Sequence, residues 1–345
     1  MVWQLKSTVL AGLVGLALQA GGAMAQTVTY STDGGKFLDA QRTTLIPAAE
    51  KAAGAKISVE ANGDRYPIVK ASVGMNNPQW DIVDIGAGYC IRGVEDGMWE
   101  KLDMALIPNA KDVDPRFNSE YYVGFYGYST LIASSNKKFP NGGPKTWAEF
   151  WDVKKFPGKR ALRNYARPTL EIALLADGVA PDKLYPLDVD RAYRKLEEIK
   201  PHIAVWWTSG AQSYQLLLDG EVDMAAVWDG RADAAKKEGA NISFSYNGAI
   251  LENTCLAVSK GSKNRVAAMK AINGMLDPAA GAEIAKIYKT GPLNQKVGGM
   301  MDPARAAEMA TSPANIALQS PLNTQWWSST AGQAAEARWL AFIQK

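Results

Sequence analysis

The chain has 345 residues, 47% of them hydrophobic and 21% charged, with a formal net charge of +3. That length exceeds what one hydrophobic core usually serves, so two domains are expected. The nearly balanced, interspersed charge lays down no basic stripe and argues against a nucleic-acid partner, while two cysteines and one histidine leave neither a disulfide scaffold nor a His-rich zinc site.

The N-terminus reads as an export signal. Lys6 gives it a positive start, Val9 to Ala20 is almost wholly apolar, and Ala23-Met24-Ala25 supplies the small residues of a cleavage site. Residues 1–25 are therefore expected to be removed after Ala25. The run is too short and too lightly flanked for a spanning helix, and no later stretch is long enough for one, so the mature chain is expected to be soluble. The expected compartment is the periplasm of a Gram-negative bacterium.

From Thr27 the pattern alternates strand and helix. A strand at 27–32 is followed by the Asp33-Gly34-Gly35 turn and a helix at 36–53 that stops at Gly54. A strand at 56–61, a helix at 66–75, a strand at 82–85 and the Gly86-Ala87-Gly88 turn come next. Such βαβ units build parallel sheets, and their ligands sit beyond the carboxyl ends of the strands, where Gly35, Gly63 and Gly86 fall. After a β-prone segment at 129–134, a Pro/Gly loop at 140–144 opens a second α/β pattern. It has a strand at 160–163 and helices at 170–176 and 191–200, the latter capped by Asp188 or Asp190. Ser209 caps a further helix that runs to Asp219, and strands follow at 222–228 and 254–258.

Cys90 and Cys255 are expected to be buried free thiols, although an oxidising compartment permits a bridge. His202, after Pro201 at a helix end, is expected to be structural.

The segments Thr146-Trp147-Ala148-Glu149-Phe150-Trp151-Asp152, Phe156-Pro157-Gly158-Lys159, Gly220-Glu221-Val222-Asp223-Met224 and Val227-Trp228-Asp229-Gly230-Arg231 resemble the periplasmic solute-binding proteins of ABC importers, in their spermidine/putrescine branch. The likeness continues through Cys255-Leu256-Ala257-Val258, residues 267–275 and Thr290-Gly291-Pro292-Leu293-Asn294. It implies an α/β, two-lobed fold, each lobe a mostly parallel sheet flanked by helices, with the ligand cleft between the lobes. Lobe 1 would comprise 26–131 and 252–300, and lobe 2 would comprise 132–251. Crossings would lie near 131–135 and 248–252, and C-terminal helices over 301–345 would pack on lobe 2. It further implies a monomer that binds a small-molecule solute, serves an inner-membrane ABC permease and needs no cofactor.

The same resemblance makes Trp228 an aromatic face for the aliphatic part of a cationic ligand. Asp229 and Glu252 are candidate partners of an ammonium group. Polyamine binders carry acids where this chain has Tyr165 and Pro168. Here Arg163 and Arg167 stand in that loop instead, and a guanidinium fork suits a carboxylate. Trp207 and Ser209, with the free amides after Ser209, complete the candidate set. Both signs of charge are present, which points to a zwitterion of the amino-acid or 4-aminobutyrate kind. An organic or phosphorylated anion is the alternative within the binding class. The alternative outside it is an α/β enzyme, but no G-x-S-x-G elbow, phosphate loop or metal-ligand cluster is present. Iron(III) binding would need paired tyrosines later in the chain than Tyr121-Tyr122.

Overall fold

The computed structural model describes Met1 and residues 26–344. The expected signal segment, Met1 aside, lies outside the described residues. Strand β1 (Thr27–Thr32) leads into α1 (Lys36–Thr43) and α2 (Leu45–Ala53), then β2 (Lys56–Ala61), α3 (Tyr66–Gly74), β3 (Ile82–Gly86) and α4 (Ala87–Glu95). One helix over 36–53 was expected, but two are found. The ring of Pro47 opposes the carbonyl four residues earlier, at Thr43, and the helix breaks at Thr44.

A long strand β4 (Tyr122–Ser135) follows, then α5 (Trp147–Trp151), β5 (Arg160–Arg163), α6 (Ala166–Ala176), α7 (Val189–Ile199), β6 (Ile203–Trp207), α8 (Gly210–Leu218), β7 (Met224–Trp228), α9 (Asp229–Lys237) and β8 (Ile242–Phe244). Asp188 caps α7 and Ser209 caps α8, each accepting from a backbone amide of the first turn. Strand β9 (Ile250–Val258) returns across the molecule. It is followed by α10 (Arg265–Met275), α11 (Pro278–Ile287), the short strand β10 (Gly291–Pro292), α12 (Pro303–Ala307), α13 (Pro313–Ile316), β11 (Ser320–Pro321), α14 (Thr324–Ser328) and α15 (Thr330–Gln344).

The main strands form one path, β2-β1-β3-β9-β4-β7-β5-β6, which is two α/β halves sharing two strands. In the first half β2, β1 and β3 are parallel, with β9 antiparallel to β3. In the second, β7, β5 and β6 are parallel, with β4 antiparallel to β7. Both β4 and β9 run through both halves. Their pairing passes from Tyr122 opposite Ala257 to Thr130 opposite Ile250, with a register shift between Gly124 and Gly127. Residues 131–134 of β4 already pair with β7.

Each sheet half is covered on both faces, because successive strand residues point to opposite sides. Ile82 packs with Phe37 and Ile272 on one face of the first half, while Val83 and Ile85 pack with Val69 and Cys90 on the other. In the second half Leu162 faces Phe150, Leu170 and Leu196, while Ala161 faces Leu216 and Ala235. From α15, Trp339 and Phe342 join the cluster around Leu170. Farther up the C-terminal segment, Met301 and Met309 pack against α11.

Cys90 and Cys255 are joined as a disulfide, their Cα atoms 6.5 Å apart. The expected free thiols are thus corrected, and strand register supplies the reason. Ile85 sits opposite Cys255, and α4 starts directly after β3, so its first turn carries Cys90 back over β9. Among the described residues, no helix is long and apolar enough to cross a membrane.

Candidate functional site

A cavity of about 110 Å³ lies between the two halves. It gathers the carboxyl ends of β3 (Gly86), β5 (Arg163) and β7 (Trp228), the turn after β1 (Asp33), and the shared strands β4 (Tyr126, Tyr128) and β9 (Glu252). This is where open α/β sheets bind ligands.

On the first-half side, Asp33 and Arg65 form an ion pair at 3.2 Å, and Arg65 also donates to the Asn62 carbonyl. Burial works to raise the Asp33 carboxyl, but the Arg65 charge overrides it and holds the pKa below the usual value. Behind them Asp84 accepts from Thr32 Oγ1 at 2.8 Å. Its burial dominates, and its pKa is pushed up to about 6.

Trp228 forms the opposite wall. Its ring meets Tyr128 edge-on, with centroids 5.6 Å apart. The Arg163 guanidinium lies 5.0 Å from the Trp228 centroid and 4.7 Å from that of Tyr165. Aromatic faces hold this cation in place. Among the described residues its guanidinium makes no hydrogen bond or ion pair, so its donor fork is open.

Glu252 is buried and lines the cavity. Its carboxylate accepts from Thr130 Oγ1 at 3.0 Å and from the Tyr128 hydroxyl at 3.3 Å. Burial pushes its pKa up, with the Arg163 charge pulling the other way. Among the described residues no ion pair holds it.

Three of the other charges have protein partners, while Lys289 is buried against the rings of Phe244 and Tyr246. Arg167 pairs with Glu336 at 2.7 Å and lies 4.3 Å from the Tyr89 centroid. Arg231 donates to the Gly34 carbonyl at 3.0 Å. Asp229, the first residue of α9, accepts from the Ser129 amide at 3.0 Å and from the Tyr246 hydroxyl at 2.8 Å. Both its oxygens are thereby occupied by protein donors, and burial raises its pKa. Ser209 uses its hydroxyl to cap α8, accepting from the Gln212 amide at 3.2 Å, and the turn around it borders the cavity.

Of the expected residues, the cavity brings together Trp228, Asp229, Glu252, Ser209, Gly86, Tyr165, Arg163 and Arg167. Two fall elsewhere. Trp207 is fully buried behind Trp228, donating its indole N–H to the Ala226 carbonyl at 2.9 Å, so it backs the wall instead of facing a ligand. Its neighbour Trp206 packs on Trp339 of α15. Gly35 starts α1 with φ of 69° and approaches Arg231 without lining the cavity. Sequence reasoning missed Asp33, Arg65, Tyr89, Tyr126, Tyr128 and Lys289. The i, i+2 spacing of Tyr126 and Tyr128 was the available signal, since it puts both on one face of β4.

Residues 44–311 match the family model described as bacterial extracellular solute-binding protein. Among curated relatives, the chain is 34% identical over 340 residues to a gamma-aminobutyric acid-binding protein of Pseudomonas aeruginosa, covering 96% of each chain. The chain belongs to the bacterial extracellular solute-binding protein family. Among solved structures, this binding protein matches an ABC transporter substrate-binding protein from Bradyrhizobium japonicum at 49% identity and a TM-score of 0.87, covering 92% of its own chain and 99% of the other. AgtB from A. tumefaciens R10, in complex with agropinic acid, matches at 34% identity and a TM-score of 0.86, covering 93% and 100%. The two-lobed fold follows from this likeness, and no metal-binding cluster is found among the described residues of this solute-binding protein.

Proposed function

We propose that the chain is the periplasmic substrate-binding component of an ABC importer, and that its solute is a short amino acid with one ammonium and one carboxylate, of the 4-aminobutyrate kind. The observation that carries this reading is a pair of opposite charges on the cavity, neither of them in an ion pair among the described residues. Arg163 is held only by aromatic faces, and Glu252 is held only by two hydroxyls. A buried charge is costly without a partner, and Glu252 is buried while Arg163 beside it is half-buried with an open donor fork, so a ligand that supplies one charge of each sign satisfies both. The carboxylate goes to Arg163, the ammonium to Glu252, and the chain between them lies on Trp228.

A plain anion fits less well. It leaves the buried Glu252 without a counter-charge, and Arg65 and Arg167, which also line the cavity, are already ion-paired. A polyamine fits less well too, because the second acid it needs is replaced by Tyr165 and Pro168. The relative named as a gamma-aminobutyric acid-binding protein supports the reading.

In this proposal β4 over 125–129 and β9 over 250–254 form the hinge between lobes, and ligand stabilises the closed arrangement. The protein binds without turnover, is exported by cleavage after Ala25, acts as a monomer and delivers its solute to an inner-membrane permease. Native mass spectrometry of the gently purified protein, with calorimetry on added 4-aminobutyrate and putrescine, tests the reading. Stoichiometric binding of 4-aminobutyrate without chemical change is expected. Putrescine binding with 4-aminobutyrate refused would refute it.

A further inference from the structure

Glu336 lies on α15, outside the cavity, yet it gathers groups from three parts of the molecule. Helix α15 is seated on the second half through Trp339 and Phe342, and the Tyr193 hydroxyl donates to the Ala335 carbonyl at 2.9 Å. This seating presents the Glu336 carboxylate, 16% exposed, to Arg167 at 2.7 Å and to the Tyr165 hydroxyl at 2.9 Å. Its other oxygen lies 3.4 Å from Arg92 of α4, in the first half.

Arg167 is only 7% exposed at its side chain and borders the cavity, wedged against Tyr89 and Trp327. A guanidinium buried to that degree needs an anion. Glu336 supplies it from behind, so of the two arginines in this loop only Arg163 stands open to the cavity; across from them, Arg231 donates to the Gly34 carbonyl. If Glu336 lost its charge, the Arg167 guanidinium would open beside that of Arg163, and a second carboxylate on the ligand would satisfy it.

We propose that Glu336 is a positioning residue that fixes the charge selectivity of the site: by occupying Arg167 it restricts the solute to amino acids with a single carboxylate and rejects their dicarboxylate counterparts. This inference rests on the short-amino-acid reading of the cavity and deepens it.

Calorimetry with 4-aminobutyrate and with glutamate, which adds one carboxylate to the same chain, tests it on the wild type, Glu336→Gln, Glu336→Asp and Arg92→Gln. The wild type should bind 4-aminobutyrate at least about tenfold more tightly than glutamate. In Glu336→Gln the ratio of glutamate to 4-aminobutyrate affinity should rise about tenfold or more, the worth of one charge-assisted contact. Glu336→Asp should hold the ratio near the wild-type value. Arg92→Gln removes one contact between halves and the packing on Tyr66, both outside the cavity, so it should weaken both compounds alike and leave the ratio in place. A purely structural Glu336 would behave as Arg92 does. A wild type that takes both compounds equally overturns the inference without any variant. An unmoved ratio in Glu336→Gln, or the same movement in Arg92→Gln, also overturns it while the short-amino-acid reading survives. Binding of neither compound by the wild type refutes that reading and this inference together.

Discussion

Replacing Glu252 by Gln is the sharpest probe of the cavity. The amide has nearly the same shape, so Thr130 Oγ1, now 3.0 Å from the carboxylate, still finds an acceptor, and the packing of β9 against β4 is undisturbed. What disappears is the negative charge. Glu252 is 6% exposed, so its pairing with a ligand ammonium takes place out of water. Removing one partner of such a desolvated pair costs about 2–5 kcal/mol, which is about 30-fold to several thousand-fold in affinity. The lower end is expected, because the Arg163 charge, no longer offset by Glu252, then holds the ligand carboxylate more strongly. Arg163→Met should also lose affinity, toward the lower end of that range, because Arg163 is only half-buried. Calorimetry with 4-aminobutyrate on both variants, with thermal unfolding to confirm intact protein, decides the matter. Loss in both supports a zwitterion. Glu252→Gln binding within about threefold of wild type while Arg163→Met binds nothing would mean that the site holds an anion, and the argument from two open charges would be refuted. The sign with pH is also fixed. Burial raises the Glu252 pKa and only its ionised form pairs with ammonium, so affinity should begin to fall on acidification above the ordinary carboxylate range.

Glu171, fully buried on α6, accepts from Trp327 Nε1 at 2.6 Å and from the Tyr185 hydroxyl at 2.5 Å, and its burial pushes its pKa up to about 7. Between the ordinary glutamate pKa and 7 the folded state holds the extra proton, so this group should remove about 3 kcal/mol of stability as pH rises through that window; Glu171→Gln should flatten that part of a urea-stability profile, and an unaltered slope would contradict it. The disulfide closes a loop with a sequence separation of 165 residues, so the double variant Cys90→Ala/Cys255→Ala should lose about 2–5 kcal/mol in urea unfolding, and an unchanged midpoint would show that the bond adds nothing. Small-angle scattering should give a smaller radius of gyration on saturation with 4-aminobutyrate than without it, and equal radii for an open free form and the bound form would count against closure on the shared strands.

Where the chain signals its own geometry locally, the sequence was readable. Strands at 27–32, 56–61 and 160–163 coincide with β1, β2 and β5, because alternation and flanking turn residues mark both ends. Strand β4 was read as 129–134 and runs from Tyr122. Gly124 and Gly127 interrupt its upstream pattern at the very place where its register shifts. Losing that stretch lost Tyr126 and Tyr128, and with them part of the aromatic wall. Trp228 was reachable because it ends a strand inside a recognisable motif, Arg163 because it opens the loop where polyamine binders carry acids, and Glu252 because it falls at an expected crossing. Trp207 misled because strand alternation predicts which face a residue takes, not that β7 will bind its indole N–H. Glu336 was invisible: its partner Tyr165 is 171 residues away, and only the seating of α15 brings them together.

The bond between Cys90 and Cys255 makes a covalent ring of most of the second half and both shared strands. A single cut by a protease anywhere between those cysteines leaves one connected molecule, which parts into two fragments only after reduction. A nick in the exposed Pro/Gly loop around Asn141 therefore leaves the two walls of the cavity tethered to each other, and the damage shows on a reducing gel before it shows in solute uptake.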